Sequence, residues 1–322
     1  LKWSSYIPDP FILQLFAAIG VGYFFPQLAD FGYNGLNLGT LIDLGVVFIF
    51  FFYGLKLDKS SIVNDLKNWP MHLLIQGVVF VLFPLLVLIF YPLVPQDPSY
   101  QLLFISLFYL ACLPSTVSSS VVMVSIAKGN ISSAIFNASL SGLIGIILTP
   151  LWMSLFVQKQ GELQLSTIFI DLIIKIVLPV VLGLILQPWL RNWYKKYHHR
   201  IAKLDKLTIV FIVYSSFAHT FHDGSFGLLG LDKTLFIAVL VILLFVVVFN
   251  FSRWIGRKMR FDRADQITIQ FCGTKKSLVH GSVFASVLFT ENVGIYLLAV
   301  MIYHTFQLFI ISFIAERYAK EA

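Results

Sequence analysis

Tyr109-Leu-Ala-Cys-Leu-Pro114-Ser-Thr-Val-Ser-Ser-Ser120 breaks an apolar stretch with a proline and then fills the break with hydroxyls. A second apolar stretch breaks in a similar way at Ile269-Gln-Phe-Cys-Gly273-Thr-Lys-Lys-Ser277. Backbone amides and ammonium groups at such places sit at hydrocarbon depth, where an unpaired one costs several kcal/mol. A chain keeps these segments where they line a cavity or bury against each other. Two of them at corresponding places in the halves of a membrane protein point to a transport site.

Working outward, the 322 residues are 58% hydrophobic and only 12% charged, with a mean hydropathy of +0.85. Soluble domains carry about 25% charged residues. The pattern predicts spans at roughly 10–28, 38–56, 69–93, 100–127 (broken), 131–157, 165–189, 206–222, 232–252, 264–289 (broken) and 293–315. In this register one side collects Lys2, Lys56, Lys59, Lys67, Lys128, the runs Arg191–Lys206 and Arg253–Arg263, Arg317 and Lys320. The other side holds Lys159 and Lys233, with Asp97, Glu162, Asp223, Asp232 and Glu291. The positive-inside rule then places both termini in the cytoplasm. The net charge of +7 is thus an orientation signal and a contact for anionic lipid, not a nucleic-acid footprint.

Ten spans divide into five and five, and because five is odd the halves are inverted. The expected fold is an all-α polytopic membrane protein of ten transmembrane helices in two inverted five-helix repeats, helices 4 and 9 being broken and crossing mid-membrane. It forms a single transmembrane transporter domain, with repeat one at about 10–157 and repeat two at about 165–317. Lys128-Gly129-Asn130 reads as a tight turn in which Gly and Asn accept positive φ. Pro84, Pro150 and Pro179 read as kinks. The first apolar stretch has neither a basic start nor a small-residue cleavage site, so no cleavable signal peptide is expected.

At the first break Pro114 removes an amide donor, which is expected to free the carbonyl of Leu110. Ser115, Thr116, Ser118, Ser119 and Ser120 offer hydroxyls that donate and accept. Half-helix ends meeting there aim N–H groups and carbonyls at one cavity, suited to an anionic group and a small cation. At the second break Gly273 gives flexibility, and Gln270, Thr274 and Ser277 give oxygens. Lys275 and Lys276 are costly unless paired, hydrated or deprotonated; the competing reading is a fixed structural counter-charge. Asp43 is a counter-ion for a lysine, and Asp171 with Lys175 is spaced for a mutual ion pair. Gln76, Asn137 and Ser141 complete a site or hydrogen-bond between helices. His280 and His304 relay protons or pack. Cys112 and Cys272 have no disulfide or zinc spacing and read as small packing residues. With no Walker A pattern, nucleophile elbow or zincin motif, ATP hydrolysis and acyl chemistry have no sequence support and no enzyme is expected.

At these residues the chain resembles the bile acid:sodium symporter (BASS) superfamily, in the branch resembling solute carrier family 10 member 7 and its bacterial homologues. The resemblance covers nearly the whole chain. It rests on the ten spans, Pro114-Ser-Thr-Val-Ser-Ser with Ala127-Lys-Gly-Asn130, Ile75-Gln76, Ile135-Phe-Asn137, and Gln270 to Leu278. It implies a panel domain and a core domain, with substrate between them and two sodium ions behind the crossover. It makes Gln76, Ser118, Gln270 and Thr274 the candidate sodium ligands. Ser118 and Ser119 match the family's Ser-Asn pair, while Phe271, Gly273 and Thr274 match positions that supply oxygens to the second ion.

Departures from that pattern bear on the chemistry. Sodium-coupled members carry an acidic residue in place of Gln270, Asn and Ser in place of Lys275 and Lys276, and hydroxyls in place of Ala134 and Ala138. An amide for a carboxylate, with a cation beside it, disfavours sodium; at an effective dielectric near 20 a unit charge at 4 Å is worth about 4 kcal/mol. The resulting expectation is a secondary active transporter of a small organic anion in a bacterial inner membrane. It works by alternating access, coupled to sodium or, because of Gln270, Lys275 and Lys276, to protons, with no other cofactor. Its substrate and ion site comprises Gln76, Ser115, Thr116, Ser118, Ser119, Asn137, Gln270, Thr274, Lys275, Lys276 and Ser277. The alternatives are a non-transporting membrane regulator of ion homeostasis, related to the calcium-handling member 7-like proteins, and a passive channel.

Overall fold

The computed structural model describes residues 10–30, 32–33, 36–56, 68–116, 118–157, 170–224, 227 and 229–321. Lys2, Lys59, Lys67, Lys159, Glu162 and the side chain of Ser118, all used above, lie outside the described residues. The chain is an all-helical polytopic membrane protein, apart from a hairpin of two-residue strands, Gly32–Tyr33 and Leu36–Asn37. Among the described residues, six helical segments are long and apolar enough to cross a membrane: Leu38–Lys56, Trp69–Leu93, Ile131–Phe156, Ile170–His222, Gly230–Lys258 and Val293–Glu321. Pro10–Phe24 and Pro98–Cys112 are shorter apolar helices.

The chain divides into two compact units, each drawing on both halves of the sequence. The first comprises residues 1–57, 166–228 and 285–295. It contains α1 (Pro10–Phe24), α2 (Leu38–Lys56) and α8 (Leu178–His222), the last preceded by a π turn at Ile173–Val177. α2 and α8 touch backbone to backbone where Gly54 meets Gly183: a Cβ on Gly54 would stand 2.2 Å from the carbonyl oxygen of Val180.

The expected loop Arg191–Lys206 is instead helical. It holds many Lys and Arg residues and neither Gly nor Pro, so nothing in it breaks a helix. A straight helix of 45 residues would run about 67 Å, yet this one doubles back. Its neighbours on α2 rise from Asp43 (Lys175) to Gly54 (Gly183), then fall from Leu55 (Ile201) to Gly45 (Thr208). Lys175 and Ile212 consequently line one cavity. The ion pair expected between Asp171 and Lys175 is replaced by one between Lys175 and Asp43 at 2.9 Å. Lys175 lies in the π turn, where the extra residue per turn breaks the i, i+4 register.

The second unit comprises residues 58–165, 229–284 and 296–322. Its first strut is α3 (Trp69–Gly77), a π turn at Val78–Leu82, and α4 (Phe83–Leu88). Then follow α5 (Pro98–Cys112), α6 (Ser118–Ile126), α7 (Ile131–Val157), α9 (Gly230–Lys258), α10 (Arg263–Thr274) and the greater part of α11 (Leu278–Leu288) and of α12 (Val293–Glu321). Rings of Phe104, Phe108, Trp152 and Phe156 pack edge to face between α5 and α7. In the turn after α6 the positive φ, +57°, belongs to Lys128, rather than to Gly129 or Asn130. Gly129 N–H reaches back to the Val124 carbonyl at 2.8 Å and Lys128 N–H to Ser125 at 3.2 Å, a Schellman-type closure that requires its left-handed residue at Lys128.

Candidate functional site

Helicity stops after Cys112 and resumes at Ser118, and the five carbonyls from Leu110 to Pro114 each find a partner. Leu110, expected to be freed, accepts the Leu113 N–H at 3.3 Å because the last turn tightens. The carbonyl of Cys112 takes the Thr149 hydroxyl at 2.7 Å. Those of Ala111 and Leu113 accept from Lys276 Nζ at 2.7 and 2.8 Å, and that of Pro114 accepts the Ser277 N–H at 2.9 Å. The Ser115 N–H goes to Ser141 Oγ at 2.9 Å, and the Ser115 hydroxyl goes to the Cys272 carbonyl at 2.7 Å. Thr116 Oγ1 sits 2.8 Å from Ser119 Oγ and 2.9 Å from Ser120 Oγ. Four of these bonds join the first break to the second: two from Lys276 Nζ, one from the Ser277 N–H and one from the Ser115 hydroxyl.

The second gap runs from Lys275 to Ser277, between α10 and α11. Lys275 is extended, with φ −81° and ψ 144°, and successive side chains on extended backbone point to opposite sides. The two lysines therefore part company. Lys276 Nζ donates to the carbonyls of Val79, Ala111 and Leu113 at 2.9, 2.7 and 2.8 Å, and lies 4.1 Å from the centre of the Phe83 ring. An ammonium has three donors, so this one is saturated. The Val79 carbonyl is available because Phe83 N–H bonds back to Val78 across the π turn and Pro84 has no N–H to offer. The same proline leaves the Phe80 carbonyl to the Trp152 indole at 2.8 Å.

Lys275 is equally buried, with 0% of its surface exposed. Its Nζ has no hydrogen-bond partner among the described residues. Gln307 holds the backbone beside it: the Lys276 N–H donates to Gln307 Oε1 at 2.9 Å, and Gln307 Nε2 donates to the Lys276 carbonyl at 2.8 Å. One amide side chain thus does for this gap what a neighbouring strand does in a sheet. The Tyr303 hydroxyl donates to the Thr274 carbonyl, and Thr274 Oγ1 turns back to Gln270 at 2.7 Å. Ser277 Oγ accepts the His280 N–H at 3.2 Å and meets His280 Nδ1 at 2.9 Å.

The other expected residues fall into separate groups. Gln76 Nε2 donates to the Asn137 carbonyl and to Asn137 Oδ1, each at 3.2 Å, while Asn137 Nδ2 contacts the Ser133 carbonyl and His72 Nδ1 at 2.8 Å. Gln76 Oε1 is buried and unbonded. Gln270 accepts from the Tyr318 hydroxyl at 2.9 Å and donates to the Phe249 carbonyl at 3.3 Å. The structure thus joins Ser115, Lys276 and Ser277 where the two gaps are hydrogen-bonded, with Thr116, Ser119 and Thr274 next to them in sequence. Gln76 with Asn137 stands apart, as does Gln270.

These residues do not fit the two sodium ions that the resemblance implies. The carbonyl nest holds an ammonium, Gln270 is used at both ends, and Ala134 and Ala138 bring no oxygen side chain. Among the described residues no cluster of three His, Cys, Asp or Glu side chains offers another metal site. Gln307, Thr149 and Tyr303 are absent from the sequence expectation. Gln307, a lone amide in the apolar stretch of α12, carried the one available signal. The main-chain ligand at Val79 carried none.

Pro114 approaches α7 so closely that a Cβ on Gly145 would lie 2.8 Å from the proline ring. Gly145→Ala is expected to destabilise the protein by about 1–3 kcal/mol through overpacking, despite the better helix propensity of Ala. Thermal unfolding of the detergent-solubilised variant reads this as a lowered midpoint.

Compared with known proteins, residues 9–320 match the SBF-like CPA transporter family. The chain is 35% identical to the Escherichia coli K12 protein named "Putative symporter YfeH", over 98% of this chain and 94% of that one. It is 29% identical to the Rattus norvegicus protein named "Sodium/bile acid cotransporter 7", over 92% and 88%. The Xenopus tropicalis protein of the same name is 28% identical over 84% and 79%.

Proposed function

The chain belongs to the SBF-like CPA transporter family, a family of transporters and not of enzymes, and on that premise we propose that it is a secondary active transporter of a small organic anion. It works by alternating access in a bacterial inner membrane with both termini in the cytoplasm. In this reading the chain is a single transporter domain of ten spans in two inverted repeats, about 10–157 and 165–317. The α5–α6 and α10–α11 pairs are the fourth and ninth spans, each interrupted at mid-depth. Support comes from the hydrogen bonds Ser277 N–H to Pro114 and Ser115 hydroxyl to Cys272, which tie gap to gap. The division into two compact units supports a panel-and-core mechanism.

The observation that carries the proposal is the division of labour between the lysines. Lys276 is a resident cation, fixed where a free one would otherwise be needed. Lys275 has a buried Nζ with no partner among the described residues, and holding it as an ammonium is a cost that a bound anion would offset. The substrate and ion site is proposed at Ser115, Thr116, Ser118, Ser119, Thr274, Lys275, Lys276 and Ser277, with Gln76, Asn137 and Gln270 shaping its flanks. Coupling is to a sodium or proton gradient, and the nest filled by Lys276 favours the latter.

Proteoliposomes loaded against a panel of organic anions test this. Uptake of at least one anion is expected to respond to an imposed proton or sodium gradient and to saturate. Uptake indifferent to both gradients refutes coupling, and large unitary currents identify a channel. No flux of any kind, with the protein folded, marks a regulator.

A further inference from the structure

The surface strut of the second unit carries a groove that the transport site does not use. Trp69, Leu73, Gly77, Val81, Leu85 and Ile89 line it at four-residue intervals, a stripe of about 30 Å along the helix. Its volume is about 710 Å³, and Phe251 and Met259 at the far end of α9 form its other wall. Trp69 and Leu73 are 63% and 67% exposed. The hollow exists partly because Gly77 has no side chain: nothing stands within 4 Å of where its Cβ would be. Among the described residues no charged, amide or hydroxyl side chain lines it, so none of them would orient a polar solute.

One end differs from the rest. Met259 is flanked in sequence by Lys258 and Arg260, with Arg257 one residue before, and all three cations are exposed. Lys258 Nζ lies 4.8 Å from the centre of the Trp254 ring, an aromatic of the type that anchors at a bilayer surface. An apolar furrow of membrane length that ends in cations and tryptophans is complementary to a chain with an anionic head. We propose that this groove binds an anionic glycerophospholipid of the leaflet facing the basic end. Its phosphate lies between Arg257 and Arg260, and an acyl chain lies along the Trp69–Leu85 stripe.

Nanodiscs containing equal phosphatidylglycerol and phosphatidylethanolamine, followed by native mass spectrometry, test the assignment. Wild type is expected to keep one phosphatidylglycerol per chain. R257Q/R260Q should lose the preference by roughly 30-fold, at about 1 kcal/mol, or fivefold, per charge. G77L should abolish retention of either lipid while its lipid-free unfolding midpoint does not fall, since the added side chain enters open space and Leu is the better helix former. V81W fills the same hollow one turn further on and is expected to give the same answer should G77L not fold. Equal retention of the two lipids by wild type overturns the proposal, as does unchanged retention in a folded G77L or V81W. Loss of solute uptake in those variants with lipid retention intact would assign the groove to the transported solute instead.

Discussion

Lys276→Met is expected to collapse the second unit. The substitution keeps length and apolar bulk but strands three buried carbonyls, those of Val79, Ala111 and Leu113. Each unsatisfied buried acceptor costs about 1–3 kcal/mol, so the loss is at least about 3 kcal/mol. Single-domain proteins have only about 5–15 kcal/mol in hand. Lys276→Arg does not rescue, because a planar fork cannot address three oxygens set around one point. Lys276→Ala leaves the nest vacant but lined with oxygens, which suit a small hard cation. Its unfolding midpoint in detergent is therefore expected to rise when choline chloride is replaced by sodium chloride, while that of wild type does not move. A Lys276→Met protein as stable as wild type would remove the structural role assigned to this ammonium.

Lys275→Met is expected to act in the opposite sense on stability and with the largest effect on transport. The wild-type side chain is buried and its Nζ has no hydrogen-bond partner among the described residues, and replacing such an unsatisfied group by an apolar one of similar length is stabilising, here by about 1–3 kcal/mol. If the same ammonium meets the substrate anion, its removal costs about 2–5 kcal/mol of binding, or at least 30-fold in uptake at low substrate concentration. Both readouts come from one preparation, a raised midpoint and a lost flux. Full uptake in Lys275→Met would exclude this residue from the site, whereas a fall in stability would mean that it has a partner.

Much of the site was legible because its residues offend their surroundings. Pro114 with its hydroxyls, and Gly273-Thr-Lys-Lys, stand out from apolar neighbours whatever the fold. The pairing of the gaps follows from the same cost argument, since polar segments in hydrocarbon must find one another. What could not be read is how the lysines divide. Adjacent residues on a regular helix point about 100° apart, and only the extended backbone at Lys275 sends the two to opposite sides. The ligand at Val79 is main chain, so no residue type announces it. It arises from a π turn and Pro84 together, and the sequence marks only the proline. The run Arg191–Lys206 misled for a different reason. Charge shows where a chain meets water, but Lys- and Arg-rich segments without Gly or Pro remain helical there. Gln270 was placed as an oxygen donor at the second break, and Tyr318, a residue near the end of the last helix, engages that oxygen instead.

The reciprocal bonds between Gln307 and the Lys276 backbone have a mechanical consequence. With Thr149, Ser141 and Ser277 also engaged, main-chain groups on both interruptions are tied down across helices. They are welds, not hinges, and the last helix is riveted to them. Whatever displacement accompanies turnover carries the crossing as one rigid cassette, so a distance label spanning Cys112 and Cys272 should report the same separation throughout the cycle.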